Sequence, residues 1–112
     1  MPKIKVWVLV GPGQKLGTGR AELLQAIDEL GSLQKAAARF GMSYRYAWGV
    51  LRALERELGT PLVERVPGGR RGGGSRLTRQ ARELLSRYRR FQEALQRHGA
   101  REFRRIFGAD GR

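Results

Sequence analysis

In 112 residues there is room for one domain with a single modest core, and no second, ligand-sized domain fits beside it. The 23 Lys and Arg outnumber 10 acidic residues to give a formal charge of +13, so the fold tolerates self-repulsion unless a polyanion shares its field, and nucleic acid is the obvious one. The lack of cysteine excludes disulfide staples, thiolate metal sites and a Cys nucleophile, and it fits a reducing, cytoplasmic compartment.

Ile4, Val6, Val8 and Val10 alternate with Lys5, Trp7 and Leu9, which predicts an opening strand ended by Gly11, Pro12 and Gly13. This run is too short for a signal-peptide core or a bilayer span, and without a lipidation signal the membrane is not the expected partner. From Arg20 the apolar positions Leu23, Leu24, Ile27 and Leu30 take the spacing of one buried helix face, with Thr18 or Gly19 as the cap and Gly31 as the stop. Ser32 caps a second, short helix that turns Leu33, Ala36, Ala37 and Phe40 inward and ends at Gly41. Ser43 then caps a third, with Ala47, Val50, Leu51, Leu54 and Leu58 inward and Gly59 and Pro61 as the stop. Two helices joined by so short a turn must cross steeply, which is helix-turn-helix geometry.

Leu62 to Val66 reads as a strand, and Pro67 to Ser75 holds five glycines and two arginines before Arg76 and Leu77 resume extended structure. Strand, glycine-rich tip and returning strand make a β-wing. Thr78 caps a long helix to His98 in which Leu77, Ala81, Leu84, Tyr88, Phe91 and Leu95 recur at heptad spacing. Such a helix, about 30 Å long, outruns a three-helix core, so Leu84, Tyr88, Phe91 and Leu95 are expected to pair two copies. The tail from Gly99 offers Phe103, Ile106 and Phe107 as anchors before it frays. The expected fold is therefore mainly α with a small β-wing, in one domain over residues 1–112: helix-turn-helix and wing over 19–77, dimerisation helix and tail over 78–107.

With its apolar face inward, the third helix turns Tyr44, Arg45, Trp48, Gly49 and Arg52 outward near its N-terminus, the end that enters a major groove. Arg45 and Arg52 suit bidentate contacts to guanine; Tyr44 and Trp48 suit thymine methyls or phosphates, and for Trp48 packing against the first helix is an equal alternative. Gly49 inside the helix is explained either by close approach to DNA or by drift. From Arg65 to Arg90 nine arginines, among them Arg70, Arg71 and Arg76, face a single acid, Glu83, a surface suited to phosphate. Arg70 and Arg71 at the wing tip suit either the DNA backbone or a narrow minor groove.

Gly11 to Thr18 follows a strand and precedes a helix, but Gly17, Thr18, Gly19 and Arg20 lack the Gly-Lys-Ser/Thr entrance of a phosphate loop. His98, the only histidine, stands without partners for metal or triad chemistry. No catalytic residue, metal site or cofactor is expected.

Gly31, Ser32, Leu33, Ala36 and Ala37, then Met42 to Trp48, then Pro61 to Glu64 and the multi-glycine wing through Thr78 resemble the DNA-binding domain of the ModE family of molybdate-responsive regulators. The Gly31-Ser32, Ala36-Ala37, Ser43 and Leu58-Gly59 pattern is similar, more distantly, to LysR-type helix-turn-helix proteins. The likeness covers about residues 19–92. It implies a winged helix-turn-helix that dimerises through its long helices and binds a two-fold symmetric operator, with Ser43, Tyr44, Arg45 and Trp48 facing DNA and Arg70 and Arg71 in the wing. It also implies a stand-alone form, because the family's molybdate-binding modules do not fit in this length. The expected function is sequence-specific transcriptional regulation on double-stranded DNA. The alternatives are an architectural or RNA-binding protein without sequence preference, and an adaptor that recruits a separate effector-binding chain through Phe103, Ile106 and Phe107.

Overall fold

A computed structural model describes residues 4, 7–11, 14–69 and 72–108. A hairpin of β1 (Trp7–Gly11) and β2 (Gln14–Gly17) leads into α1 (Thr18–Leu30), α2 (Leu33–Arg39) and α3 (Tyr44–Leu58). A second hairpin, β3 (Val63–Gly69) and β4 (Gly72–Leu77), precedes α4 (Arg79–Phe107). Both hairpins are antiparallel and form separate two-stranded sheets.

The opening strand starts at Trp7 and runs through Gly11, so Ile4 lies outside it and Gly11 inside it; Lys5, Val6, Pro12 and Gly13 fall outside the described residues. Its partner β2 was not expected. With Leu16 as its sole large apolar side chain, β2 is too short to show a period, yet Leu16 is only 2% exposed and fastens the hairpin to the core beside α1 and α3. The helix cap also differs from expectation: Thr18 is already helical, and Gly17 occupies the cap position without a side-chain hydrogen bond.

The three short helices share one core. Leu23, Leu24 and Ile27 of α1, Leu33, Ala36 and Ala37 of α2, and Ala47, Leu51 and Leu54 of α3 are buried together, with Val50 and Leu58 half-buried at the margin. Phe40 is a correction: it caps the C-terminus of α2 and stands 37% exposed, because the helix ends one residue before it and the chain turns away. Gly31, Gly41 and Gly59 hold φ of 66°, 67° and 70°, the left-handed geometry that stops each helix sharply and brings the next one across it. Arg39 reaches back to Glu29 at 3.2 Å and ties α2 to α1. The Gln25 side chain first, and Arg39 second, hold the exposed Glu29 carboxyl below its ordinary range. Its small contribution is therefore present above the usual carboxylate pKa and fades as pH falls through the lowered one.

One buried threonine joins helix-turn-helix, wing and α4. Thr78, 6% exposed, donates its hydroxyl to the Pro61 carbonyl at 2.8 Å and accepts from the Ala81 amide at 3.1 Å; its own amide donates to the Leu62 carbonyl at 2.9 Å. Beside it the Glu55 carboxylate accepts from the Leu62 and Val63 amides at 2.7 and 3.4 Å, fixing the exit of α3 to the start of β3.

The long helix does not end at His98. It runs 29 residues to Phe107, about 44 Å, through Gly99, on which Ile4 packs where a Cβ would stand. Ala81, Leu85, Tyr88 and Ala100 are buried, Leu84 and Leu95 are half-buried, and Phe91 is 48% exposed. Leu77, Ala81 and Tyr88 of the heptad stripe thus belong to the core of the single chain, together with Leu85, which the stripe omitted. Among the described residues no helix is long and apolar enough to cross a membrane, and no group of three or more His, Asp or Glu could hold a metal ion.

Candidate nucleic-acid interface

The N-terminus of α3 is free of the core. Ser43, in extended conformation, accepts from the Tyr46 amide at 3.0 Å and starts the helix at the surface. Because Ala47, Leu51 and Leu54 point inward, the helical period turns Tyr44, Arg45 and Arg52 to solvent, with Tyr44 45% and Tyr46 62% exposed. Trp48 packs on the core and also reaches the outer face of α3. Its half-buried ring packs on the core, while its outer part meets Tyr44 edge-to-face at 6.2 Å and carries the Arg52 guanidinium 4.9 Å from the ring centre. One turn apart each, Tyr44, Trp48 and Arg52 form a ladder, so Arg52 is held by cation–π attraction rather than left to wander.

The wing is fixed by backbone. The Ser75 amide donates to the Gly31 carbonyl at 2.9 Å, and a Cβ on Gly74 would overlap that same oxygen, so glycine is required where β4 crosses the α1–α2 turn. The left-handed turn at Gly31 therefore fixes β4 against the α1–α2 connection. Between them lies an open recess of about 200 Å³ bordered by Ser32, Gln34, Tyr44, Trp48, Arg65 and Ser75. Sequence reasoning counted Arg65 among the basic residues but did not assign it to the site; its pairing opposite Ser75 on the wing is what turns it toward α3.

Arg76 stands opposite Glu64 and donates to its carboxylate at 2.8 Å, a cross-strand pair that offsets part of its charge. Arg70 and Arg71 lie outside the described residues. On α4, Arg82 donates to the Leu77 carbonyl at 2.9 Å and Arg79 pairs with Glu83 at 3.3 Å, while Arg87 and Arg90 flank Ser86 on the same exposed face. Of the expected pairing residues, Leu84 and Leu95 are half-buried and Phe91 is open, whereas Tyr88 is 4% exposed. At the far end Phe103 stacks on Phe107 at 4.7 Å, and Ile106 is 63% exposed.

Comparison with known proteins places this geometry. Over 81 residues the chain is 40% identical to the molybdenum-pterin-binding protein MopB of Rhodobacter capsulatus, covering 72% of this chain and 30% of that protein. It is 39% identical over 89 residues to the molybdenum transport protein ModE of Azotobacter vinelandii, covering 76% and 33% respectively. The chain thus spans about a third of the length of these relatives. Among solved structures, the DNA-binding domain of CbnR in complex with DNA superposes with a TM-score of 0.55 at 30% identity, covering 75% of this chain and 91% of that one. Full-length CbnR, a LysR family transcriptional regulator, gives 0.56 at 30% identity over 77% of this chain and 28% of its own. Residues 19–82, more than half of the chain, match the bacterial regulatory helix-turn-helix proteins of the lysR family, and with its capped α3 and backbone-anchored wing the chain belongs to that family.

Proposed function

We propose that this chain is a sequence-specific, double-stranded DNA-binding regulator that reads a two-fold symmetric operator as a homodimer in the cytoplasm. The observation that carries the reading is the outward face of α3. Tyr44 and Arg45 stand exposed at the start of a helix whose opposite face is sealed in the core, and Arg52, two turns further along, lies over the Trp48 ring. A helix entering the major groove by its N-terminus brings those side chains to base edges. The recess with Arg65, the wing and the arginines of α4 supply the phosphate contacts that position it. The similar CbnR domain is solved in complex with DNA, which supports DNA as the partner of this chain.

Dimerisation belongs to the proposal. An α4 of 29 residues extends well beyond the core it packs on, and Leu84, Phe91 and Leu95 offer apolar surface along it, with buried Tyr88 behind them as support. Selection of bound sites from random duplex DNA tests both parts at once. The expected product is a palindrome with half-sites about 34–36 Å apart. Recovery of unselected sequence supports the architectural reading instead.

A further inference from the structure

Neither backbone conformation nor packing requires glycine at position 49 in the free protein. Gly49 sits within α3 at a helical φ, outside the left-handed set of Gly31, Gly41, Gly59 and Gly108. A Cβ added there meets no atom within 4 Å, in contrast to Gly74, where a Cβ overlaps backbone. Glycine within a helix weakens it relative to alanine, so neither conformation nor packing explains the residue.

Its position does. Gly49 follows Arg45 by one turn and precedes Arg52 by nearly one, so the exposed stripe of α3 reads Arg, bare backbone, Arg. One wall of the gap is kept in place, because the Arg52 guanidinium is held over Trp48 at 4.9 Å and Trp48 is itself anchored on the core. At Gly49 the main chain itself is exposed between the two arginine positions, within the first two turns of the helix.

Resting on the DNA-reading role proposed above, we infer that Gly49 is a specificity-determining residue: its missing side chain lets α3 settle deep enough in the major groove for a base edge to enter the notch between Arg45 and Arg52. A β-carbon would hold the helix off the base pairs and draw both arginines away from their acceptors. The occupant is a base edge rather than a phosphate, because the notch shares its face with Arg45 and Arg52, the side chains to which base contacts are assigned above. Phosphates are met at the wing and at the recess beside Arg65.

The test uses Gly49→Ala and Gly49→Ser in the full chain, with the operator selected by the wild-type chain and a scrambled duplex of the same composition at matched salt. Gly49→Ala is expected to raise Tm by about 4 °C, since alanine strengthens the helix. It is also expected to weaken operator binding about tenfold and to leave scrambled-duplex binding nearly unchanged. Gly49→Ser is expected to lose operator affinity likewise. Wild-type operator affinity in both variants overturns the notch while leaving the DNA-reading role intact. Equal losses on both duplexes overturn the base-edge assignment, and a fall in Tm shows that Gly49 serves the free fold. Failure of the wild-type chain to select any site overturns the role itself, and the notch with it.

Discussion

Thr78 shows how one side chain can tie the connection after α3 to the start of α4. Its hydroxyl donates to the part-buried Pro61 carbonyl and accepts from the buried Ala81 amide. Thr78→Ala removes the cap of α4 and leaves the Pro61 carbonyl short of a donor. The expected loss is about 1–2 kcal/mol, read as a lower urea midpoint at unchanged slope, with Thr78→Ser restoring most of it. The capping role of Thr78 was legible from the sequence, as were those of Ser32 and Ser43, because a hydroxyl residue before a periodic apolar run has few other uses. The bond to Pro61 was not legible, since it links residues brought together only by the closing of the wing. Trp48 was legible as an ambiguity between core and surface, and the structure packs its ring on the core with Arg52 over it.

At the scale of elements, periodicity located the four helices, and glycines located the ends of α1, α2 and α3. It failed where a signal needs length or contrast. The strand Gln14–Gly17 carries a single buried anchor, and Gly99, which reads as a break, is carried through by the helix on either side while Ile4 fills its space. The assignment of Leu84, Tyr88, Phe91 and Leu95 to one seam ran together two neighbouring faces of α4: Leu85 and Tyr88 enter the core, and Phe91 turns outward. The wing was predicted as a strand pair, but its anchorage rests on a backbone contact with no sequence signature. Gly74→Val tests that anchorage. With the Gly31 carbonyl directly in its path, β4 must shift away from the α1–α2 turn, and the expected cost is about 1–3 kcal/mol in chemical unfolding.

At the scale of the molecule, charge and shape point to the same use. A chain of +13 with principal extents of 58 × 29 × 23 Å is long because α4 runs past the core, and Phe91, Ile106 and Phe107 stand exposed along that helix. In the proposed dimer, Phe91→Glu places two acids at an apolar contact between basic helices. The expected result is a monomer by sedimentation, with operator affinity falling steeply because the two half-sites are no longer bound as one. A dimer of unchanged mass would assign the pairing to a different face. The charge itself gives affinity for any duplex, and so only discrimination separates a reader of bases from a general polyanion binder.

Discrimination is accordingly the most direct test of α3 as the reading element. Titration of wild type and Arg45→Ala against a selected operator and a scrambled duplex, at one salt concentration, should show the wild-type chain binding the operator at least about a thousandfold tighter. Arg45→Ala should lose about 1–3 kcal/mol of that preference while holding scrambled DNA almost as before. Equal wild-type affinity for both duplexes, or an Arg45→Ala chain with its preference intact, would contradict recognition by this helix.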